Sequence, residues 1–268
     1  MTLRILALDT STHRLSVGLA VLEPALSPRA TGTEATTVWL HEGEGGAQAS
    51  NQLIPSVLDL LAQAGTTLAD LDVLAWGHGP GSFTGLRTTA AVVQGLAYGT
   101  RTPRHPMGLP VLGIDTLLAV AEDARHQLAC QGLSGPCTLT ALLDARMDEV
   151  YAATYLFPEA QQAVASLQGG PWLCQPEQLS ALLSTAAQAG RLAGNVFGVY
   201  GPRLPAAAQP PMEAWPTAAA LLRLAPHLLH QGAATPAADA QPLYVRDKVA
   251  QTTEERAQRT PPVAAAQP

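Results

Sequence analysis

The stretch 71–87, LDVLAWGHGPGSFTGLR, contains the pattern that says most about the fold of this sequence. Leu71 to Trp76 is a short apolar run, which predicts a buried strand. A glycine-rich loop follows, and a helix of very low charge is predicted from about Thr84 to Tyr98. A strand, a glycine loop and a helix N-terminus present backbone N–H groups to an anion. The segment is therefore either an anion-binding or partner-facing loop or a rigid turn between strand and helix.

The common catalytic loops do not fit this segment. A Rossmann fingerprint fails because its third glycine, Gly85, falls one residue late and no acid stands about 20 residues further on. A P-loop fails because Leu86 occupies the lysine position. A nucleophile elbow around Ser82 fails because Pro80 and Thr84 stand where that motif has glycines.

The beginning of the chain predicts a hairpin with a polar turn. The apolar run from Leu3 to Leu8 predicts a buried strand that delivers the Asp9 carboxylate at its end. The turn at 10–14 is rich in hydroxyls, and strand character resumes from Leu15 to Leu22. Asp9 and the turn fit either a nucleotide phosphate hairpin or an Asx/Ser-Thr turn that only satisfies backbone groups.

The second half of the chain repeats this order. A strand at Thr138–Leu143 ends in Asp144, and Glu149–Phe157 is predicted as its hairpin partner, which indicates a structural duplication. Ala145, Arg146 and Met147 stand where a working phosphate hairpin would want glycines, so this half is expected not to close on a triphosphate. Further elements are predicted as strands at 36–41, 111–113 and 192–200 and as helices at 52–64, 115–128, 176–188 and 217–230.

A proline-rich joint at 103–110 predicts a boundary between two lobes. The predicted domains are a first lobe at 1–104, a second and degenerate lobe at 105–250, and a disordered tail at 251–268. The last helix is expected to be able to pack on the first lobe.

Composition limits the functions that remain. The chain has 15 basic and 21 acidic residues, and Lys248 is its only lysine, so lysine-dependent phosphate or Schiff-base chemistry is excluded from its body. A net charge of −6 argues against a large RNA-binding surface on this chain. Three unpaired-looking cysteines and the lack of a signal or spanning segment predict a cytoplasmic protein with reduced thiols. His227 and His230 have no nearby acids, so they do not indicate a metal site. No catalytic triad or convincing carboxylate pair can be assembled from the sequence either.

Four segments, in the right order, closely resemble the TsaB (YeaZ) family. They are Ile5–Ser11, Gly79–Arg87, Leu143–Tyr151 and Pro242–Arg246. The string GPGSFTGLR is specific for that family, and the resemblance covers about residues 1–250. It implies an α/β, two-lobed, actin/hexokinase-like (ASKHA) fold with mixed sheets and a degenerate second nucleotide loop. The residues 49–51, Ala-Ser-Asn, depart from the family's usual His-Ser pair, and the loop at 23–35 is longer than expected.

The resemblance also implies a function. The chain is expected to be a non-catalytic subunit that dimerises with the TsaD transferase and is required for threonylcarbamoyl transfer to the adenosine 3′ of the anticodon in ANN-decoding tRNAs. TsaE is expected to join the pair as an ATPase, and the chain alone is expected to form a homodimer through the same surface. Contact with tRNA is expected only through the complex, and none with a membrane. This chain alone is expected to bind no cofactor, because ATP and a metal ion are used by the partner subunits.

The resemblance places the partner surface on the helices at about 50–64 and 84–98. Apolar helix faces that carry little charge usually mark interfaces. The candidates for the partner interface or the degenerate nucleotide loops are Asp9, Thr10, Ser11, Gly79, Pro80, Gly81, Ser82, Phe83, Thr84, Gly85, Arg87, Ala90, Ala91, Gln94, Asp144 and Arg146. The alternative is a stand-alone ASKHA small-molecule kinase that uses Asp9 or Asp144.

Overall fold

The computed structural model of the chain describes residues 2–24, 33–183 and 190–246. These residues form two five-stranded mixed sheets with helices packed against them, so the predicted α/β fold with two lobes is confirmed. The predicted tail at 251–268 and Lys248 lie outside the described residues, as does most of the 23–35 loop.

The first sheet has the strand order β3-β2-β1-β4-β5. β1 and β2 form an antiparallel hairpin in which Ala7 pairs with Gly18, and β4 runs parallel to β1. The apolar run of β1 is buried along its inner residues, as its composition predicts, because both faces of the strand are covered. The strands are β1 (Leu3–Asp9), β2 (Arg14–Pro24), β3 (Thr33–Glu44), β4 (Val73–Gly79) and β5 (Val111–Asp115).

The second sheet repeats the topology of the first. Its order is β10-β9-β6-β7-β8, so each sheet has an antiparallel three-strand meander followed by strands that run parallel to the first of them. The predicted structural duplication is confirmed. The strands are β6 (Cys137–Arg146), β7 (Glu149–Phe157), β8 (Ser166–Cys174), β9 (Arg191–Gly194) and β10 (Met212–Glu213).

Helices pack on the faces of the sheets and form the hydrophobic cores with them. The first pair of helices covers one face of the first sheet, and the last helix covers the other face, where Leu221 and Leu224 share a core with Ile5 and Ala75. The third helix packs on both sheets. The helices are α1 (Ala49–Gln63), α2 (Phe83–Gly99), α3 (Thr116–Cys130), α4 (Leu179–Leu182), α5 (Phe197–Tyr200) and α6 (Ala218–His230).

The sheet boundary differs from the predicted lobe boundary at residue 104. β5 follows the proline-rich joint, yet it pairs in parallel with β4 of the first sheet, joining Leu74 to Val111 and Gly77 to Ile114. The joint at 103–110 is therefore a loop within the first lobe. α6 returns to this lobe from the far end of the chain, and packs against β1, β2, β4 and β5.

Two predictions in the second lobe are wrong. The strand predicted at 192–200 ends at Gly194, and residues 197–200 form the short helix α5. Gly194 has a φ of +157°, and a Cβ there would lie 1.9 Å from the Leu142 carbonyl oxygen, so the chain leaves the sheet where only glycine fits. The helix predicted at 176–188 is a 3-10 turn followed by α4, and residues 184–189 lie outside the described residues.

Candidate functional site

A cleft of about 340 Å³ lies where the two lobes meet. The turns after β1 and β6, the glycine loop after β4 and the segment 243–246 surround it. It is lined by Ser11, Thr12, His13, Gly46, Gly81, Ser82, Phe83, Thr84, Leu143, Asp144, Ala145, Arg146, Met147, Tyr151, Asn195, Leu243, Tyr244 and Arg246. The structure thus brings together most of the predicted loop residues from both halves of the chain.

Asp9 lies beneath the cleft and does not line it. Its side chain is 1% exposed, and its Oδ1 accepts hydrogen bonds from the Ser11 amide at 2.9 Å and the Ser11 hydroxyl at 2.8 Å. Its Oδ2 has no hydrogen-bond partner and faces Gly77, where an added Cβ would lie 1.9 Å away. Burial, opposed only by the Ser11 hydrogen bonds, raises the pKa of Asp9 to about 7. These are the contacts of an Asx-type turn, one of the two interpretations that the sequence left open for this segment.

The glycine loop is packed tightly on the turn after β1. The Thr10 hydroxyl donates to the Gly85 carbonyl at 2.8 Å, and the Ser82 amide donates to the Ser11 carbonyl at 2.7 Å. A Cβ at Gly85 would lie 1.9 Å from the Thr10 carbonyl oxygen, and a Cβ at Gly81 would lie 2.6 Å from that of Ser11. The two glycines are therefore required by the close approach of two backbones.

The loop also starts α2 with a side-chain cap. Ser82 is the N-cap, and its hydroxyl accepts a hydrogen bond from the Gly85 amide at 3.4 Å. The backbone N–H groups of residues 82 and 85 in this loop therefore donate hydrogen bonds to acceptors within the protein. Gly79 has a φ of +126°, and its amide donates to the Thr116 hydroxyl at 3.0 Å, while Pro80 follows it. Thr84 and Phe83 remain exposed at the cleft.

The second hairpin turn is built from bulky residues. Residues 146–148, Arg-Met-Asp, all have positive φ, at 60°, 55° and 68°. Asp144 accepts hydrogen bonds from the Arg146 amide at 2.8 Å and from the Tyr200 hydroxyl at 3.1 Å, and its Oδ2 lies 3.2 Å from the Arg146 guanidinium. Both oxygens of this carboxylate therefore have partners within the protein. A phosphate hairpin would instead present free backbone N–H groups at this turn.

A short segment near the end of the described chain joins the two sides of the cleft. The Leu243 amide donates to the His78 carbonyl at 2.7 Å, and the Arg87 Nε donates to the Tyr244 hydroxyl at 3.1 Å. Arg246 donates to the Ala145 carbonyl at 3.0 Å and pairs with Glu149. Sequence reasoning recorded these residues only as part of a family string and missed their role between the lobes.

The helices α1 and α2 present an open apolar face. Ile54 and Leu58 of α1 are 45% and 52% exposed, and Tyr98 of α2 is also exposed. Added Cβ atoms at Gly95 and Gly99 would meet no heavy atom within 4 Å, so a second backbone can approach α2 closely there. From residue 73 to residue 114 the sequence contains no acidic residue. We call the exposed side of 51–62 and 84–99 the α1–α2 face.

Four of the predicted interface residues occupy different places. Ala91 is exposed on the α1–α2 face, whereas Ala90 is 6% exposed and belongs to the core under the helix. Ala90 therefore does not lie on the α1–α2 face, because successive helical residues point about 100° apart. Gln94 is half-buried and donates to the Ala240 carbonyl at 3.2 Å, and Arg87 stacks on Phe83 with its Cζ 3.8 Å from the ring centre.

Within residues 2–24, 33–183 and 190–246, no three His, Cys, Asp or Glu side chains are grouped so as to hold a metal ion. No helix in the part of the chain that the structure describes is long and apolar enough to span a bilayer. The three cysteines, Cys130, Cys137 and Cys174, are free thiols.

Comparisons with known proteins identify the family. Residues 40–196 match the family model described as TsaD, tRNA N6-adenosine threonylcarbamoyltransferase. The structure of YeaZ from Pseudomonas aeruginosa superimposes with a TM-score of 0.70 at 32% identity, over 91% of this chain and 100% of that one. The chain belongs to the TsaB/YeaZ family. The resemblance predicted from the sequence and the two-lobed fold that it implies are confirmed.

Sequence relatives include proteins named TsaB and an uncharacterized protein. The TsaB protein of Escherichia coli, named for tRNA threonylcarbamoyladenosine biosynthesis, is 36% identical over 153 residues, which are 57% of this chain and 55% of that protein. An uncharacterized protein of Mycobacterium tuberculosis is 33% identical over 174 residues, covering 63% of this chain and 69% of the other. The matched segment thus spans about half the length of the curated TsaB relatives.

Proposed function

We propose that this TsaB/YeaZ-family chain is a non-catalytic subunit in the synthesis of threonylcarbamoyladenosine on tRNA. It docks on the TsaD transferase through the α1–α2 face and supports threonylcarbamoyl transfer to the adenosine 3′ of the anticodon in ANN-decoding tRNAs. The observation that carries the proposal is the pairing of an open apolar face with two hairpin carboxylates that a ligand in the cleft cannot use, because Asp9 is buried beneath the cleft and both oxygens of Asp144 have partners in the protein.

The α1–α2 face has the properties of a protein interface. Ile54 and Leu58 lie one helical turn apart on α1, and Tyr98 stands beside the open backbone at Gly95 and Gly99. Exposed aromatic and branched apolar side chains are enriched where proteins bind one another. Small residues on α2 allow a partner helix to pack closely, which increases the dispersion energy of the contact. The same face is proposed to form the homodimer when TsaD is absent.

The state of the two hairpin carboxylates supports a non-catalytic role. A general base or metal ligand must reach the substrate, yet Asp9 is covered and Asp144 is bonded to Arg146 and Tyr200. The bulky turn at 145–147 takes the space in which a nucleotide triphosphate would approach the backbone. ATP and the metal ion are therefore proposed to be used by TsaD and TsaE, and tRNA to be bound through the complex. The chain's charge of −6 agrees with an RNA surface supplied by a partner.

A reconstituted reaction tests the proposal. TsaD, TsaE, a threonylcarbamoyl donor and an ANN-decoding tRNA are incubated with this chain, without it, or with Ala91→Glu, and modified adenosine is measured by mass spectrometry. Modification is expected only with the unsubstituted chain. Full modification without the chain would overturn the proposal.

Because the protein has this cleft, a stand-alone ASKHA kinase is the second candidate function. Its volume of about 340 Å³ is large enough for a small ligand. Calorimetric titration of the chain alone with Mg-ATP separates the candidates, because the kinase must bind the nucleotide and turn it over without TsaD. Tight binding with ATP consumption would favour the kinase over the subunit.

A further inference from the structure

Two of the passages between the lobes lie side by side. The chain leaves the first sheet through α3 and returns to it through residues 214–217, between β10 and α6. Asp123 of α3 accepts a hydrogen bond from the amide of Trp215, in the returning passage, at 3.2 Å. α3 packs on β4 and β5 of the first sheet and on β6, β7 and β9 of the second. The helix and the returning passage therefore form one common connection, about which two lobes can turn.

A third passage crosses at the cleft, and its first part is fixed to the first lobe. After α6, Ala237 and Ala240 enter the hydrophobic core beneath α1 and α2. The side chain of Gln94 on α2 donates to the Ala240 carbonyl at 3.2 Å. The Leu243 amide donates to the His78 carbonyl at 2.7 Å. This part of the chain therefore moves with the first lobe.

The change of lobe takes place between two consecutive residues, Tyr244 and Val245. The Tyr244 hydroxyl accepts a hydrogen bond from Arg87 Nε at 3.1 Å, and its ring centre lies 5.4 Å from that of Phe83, so Tyr244 contacts the first lobe. Val245 packs against the core of the second sheet. Consecutive Cα atoms are only about 3.8 Å apart. The chain has no slack here, so the lobes cannot separate at this place while both residues keep their contacts.

Arg246 fixes the end of this passage to the second lobe. Its Nη2 lies 2.7 Å from Oε2 of Glu149 and donates to the Ala145 carbonyl at 3.0 Å. Glu149 is 31% exposed and Val245 is half-buried, and an ion pair that solvent reaches contributes little and is screened by salt. Most residues of α3, in contrast, are buried. The contacts at the cleft are therefore the weaker of the two connections and the first to open.

We propose that residues 243–246 act as a latch that holds the cleft closed. While Val245 and Arg246 stay on the second lobe, the turn after β6 is kept close to the glycine loop. When they leave it, the second lobe turns about α3, and the cleft widens between Thr84 on one side and Met147 on the other. The latch thus controls the size of the ligand or partner segment that the cleft admits. This proposal does not depend on the role in tRNA modification.

Residual dipolar couplings of the backbone amides test the latch in the full, deuterated chain. These couplings report how each lobe is oriented in a common alignment frame. In the unsubstituted chain both lobes are expected to share one alignment tensor, because the latch and α3 together fix their relative orientation. In the double variant Val245→Ser/Arg246→Ala the shared tensor is expected to be lost. The couplings of each lobe should then still fit that lobe alone, which shows that the variant is folded.

Arg246→Ala alone is the second variant. It keeps the packing of Val245, so it is expected to give a smaller difference between the two tensors, and it serves if the double variant does not fold. Arg203→Ala is the matched control. The Arg203 Nη2 donates to Asp148 at 2.9 Å and to Glu177 at 3.0 Å, and all three residues lie in the second lobe. This control removes two ion pairs beside the same turn and is expected to leave the shared tensor unchanged.

Three results would overturn the proposal. The first is a shared tensor in every folded latch variant, because the lobes would then keep their orientation without the latch. The second is a pair of different tensors in the unsubstituted chain, because the lobes would then move although the latch is closed. The third is an equal loss of the shared tensor in Arg203→Ala, because the effect would then not come from the passage between the lobes.

Discussion

Tyr155 donates a hydrogen bond to Asp115 across the junction of the two sheets, with 3.0 Å between the hydroxyl and Oδ1. Tyr155 lies on β7 of the second sheet. Asp115 ends β5 of the first sheet and caps α3 by accepting a hydrogen bond from the Leu118 amide at 3.0 Å. One half-buried carboxylate therefore fixes the start of the helix that packs on both lobes and also ties the lobes together.

Tyr155→Phe is expected to lower the free energy of unfolding by about 1–2 kcal/mol, because the half-buried Asp115 carboxylate loses a hydrogen bond. Without the hydroxyl, the pKa of Asp115, which burial already raises, is expected to rise further, since the lost bond favoured the ionised form. Urea unfolding measures the first effect, and carboxyl NMR titration measures the second. The control is Tyr151→Phe on the same strand, which is expected to change stability by less than about 0.5 kcal/mol. An equal loss in both variants would contradict a specific role for the Tyr155 bond.

Asp9 predicts a pH dependence of stability. Its pKa is about 7 in the folded chain against 3.8 for a free aspartate. A carboxyl that binds its proton more tightly when folded contributes stability below its unfolded pKa, and that contribution is lost as pH rises through the folded pKa. The free energy of unfolding is therefore expected to fall between pH 4 and pH 7, by on the order of 4 kcal/mol from this group.

Asp9→Asn removes this titration, so its stability relative to the unsubstituted chain is expected to rise between pH 4 and pH 8. Urea unfolding at several pH values measures the difference. Asp70→Asn is the control, because the pKa of Asp70 is lowered by hydrogen bonds from Thr67, which is the opposite direction. An Asp9→Asn variant with the same pH profile as the unsubstituted chain would show that Asp9 ionises normally.

Two neighbouring alanines are expected to respond differently to the same substitution. Ala90→Glu places a carboxylate in the core and is expected to lower the free energy of unfolding by more than about 3 kcal/mol. Ala91→Glu places it in solvent on the α1–α2 face and is expected to change stability by less than about 0.5 kcal/mol. Thermal unfolding monitored by circular dichroism distinguishes them. Equal melting temperatures for the two variants would mean that the orientation of α2 is wrong.

Arg246 is expected to order the turn after β6. Arg246→Ala removes its ion pair with Glu149, at 2.7 Å, and its hydrogen bond to the Ala145 carbonyl. Amide hydrogen exchange at 146–149 is expected to accelerate about tenfold, because a partly buried charged contact contributes about 1.5 kcal/mol. The control Arg191→Ala removes a hydrogen bond to Pro210 and is expected to leave that turn unchanged. Unchanged exchange at 146–149 in Arg246→Ala would show that Arg246 of the segment 243–246 does not order this turn of the cleft.

The parts of the fold that follow from local pattern were predictable. The apolar run before Asp9 and the apolar segment 149–157 after the second turn are strong signals, and both strands were predicted close to their observed bounds. β8 was missed because its sequence, SLQGGPWLC, contains two glycines and a proline, which disfavour strands. β5 was predicted in the second lobe, because a proline-rich loop marks a turn and does not indicate which distant strands pair.

The candidate site was predictable only as a set of loops. The string 79–87 and the turn after β6 indicated which loops lie close together, because the need for glycine at a close backbone contact is visible in the local sequence. Which side chains face solvent depends on the packing of whole helices, so Ala90 and Ala91 could not be distinguished on a helix of uniform composition. The contacts of Tyr244 and Arg246 span about 100 residues or more, and no local pattern predicts them.

Isothermal titration of this chain into the cognate TsaD is the sharpest test of the proposed docking through the α1–α2 face. The account predicts micromolar or tighter affinity for the unsubstituted chain and a loss of at least about tenfold for Ala91→Glu, because a carboxylate would be buried in the interface without a partner. The matched variant Ala181→Glu, exposed on the second lobe, is expected to bind normally. No binding by the unsubstituted chain, or equal affinity for Ala91→Glu and Ala181→Glu, would contradict the account.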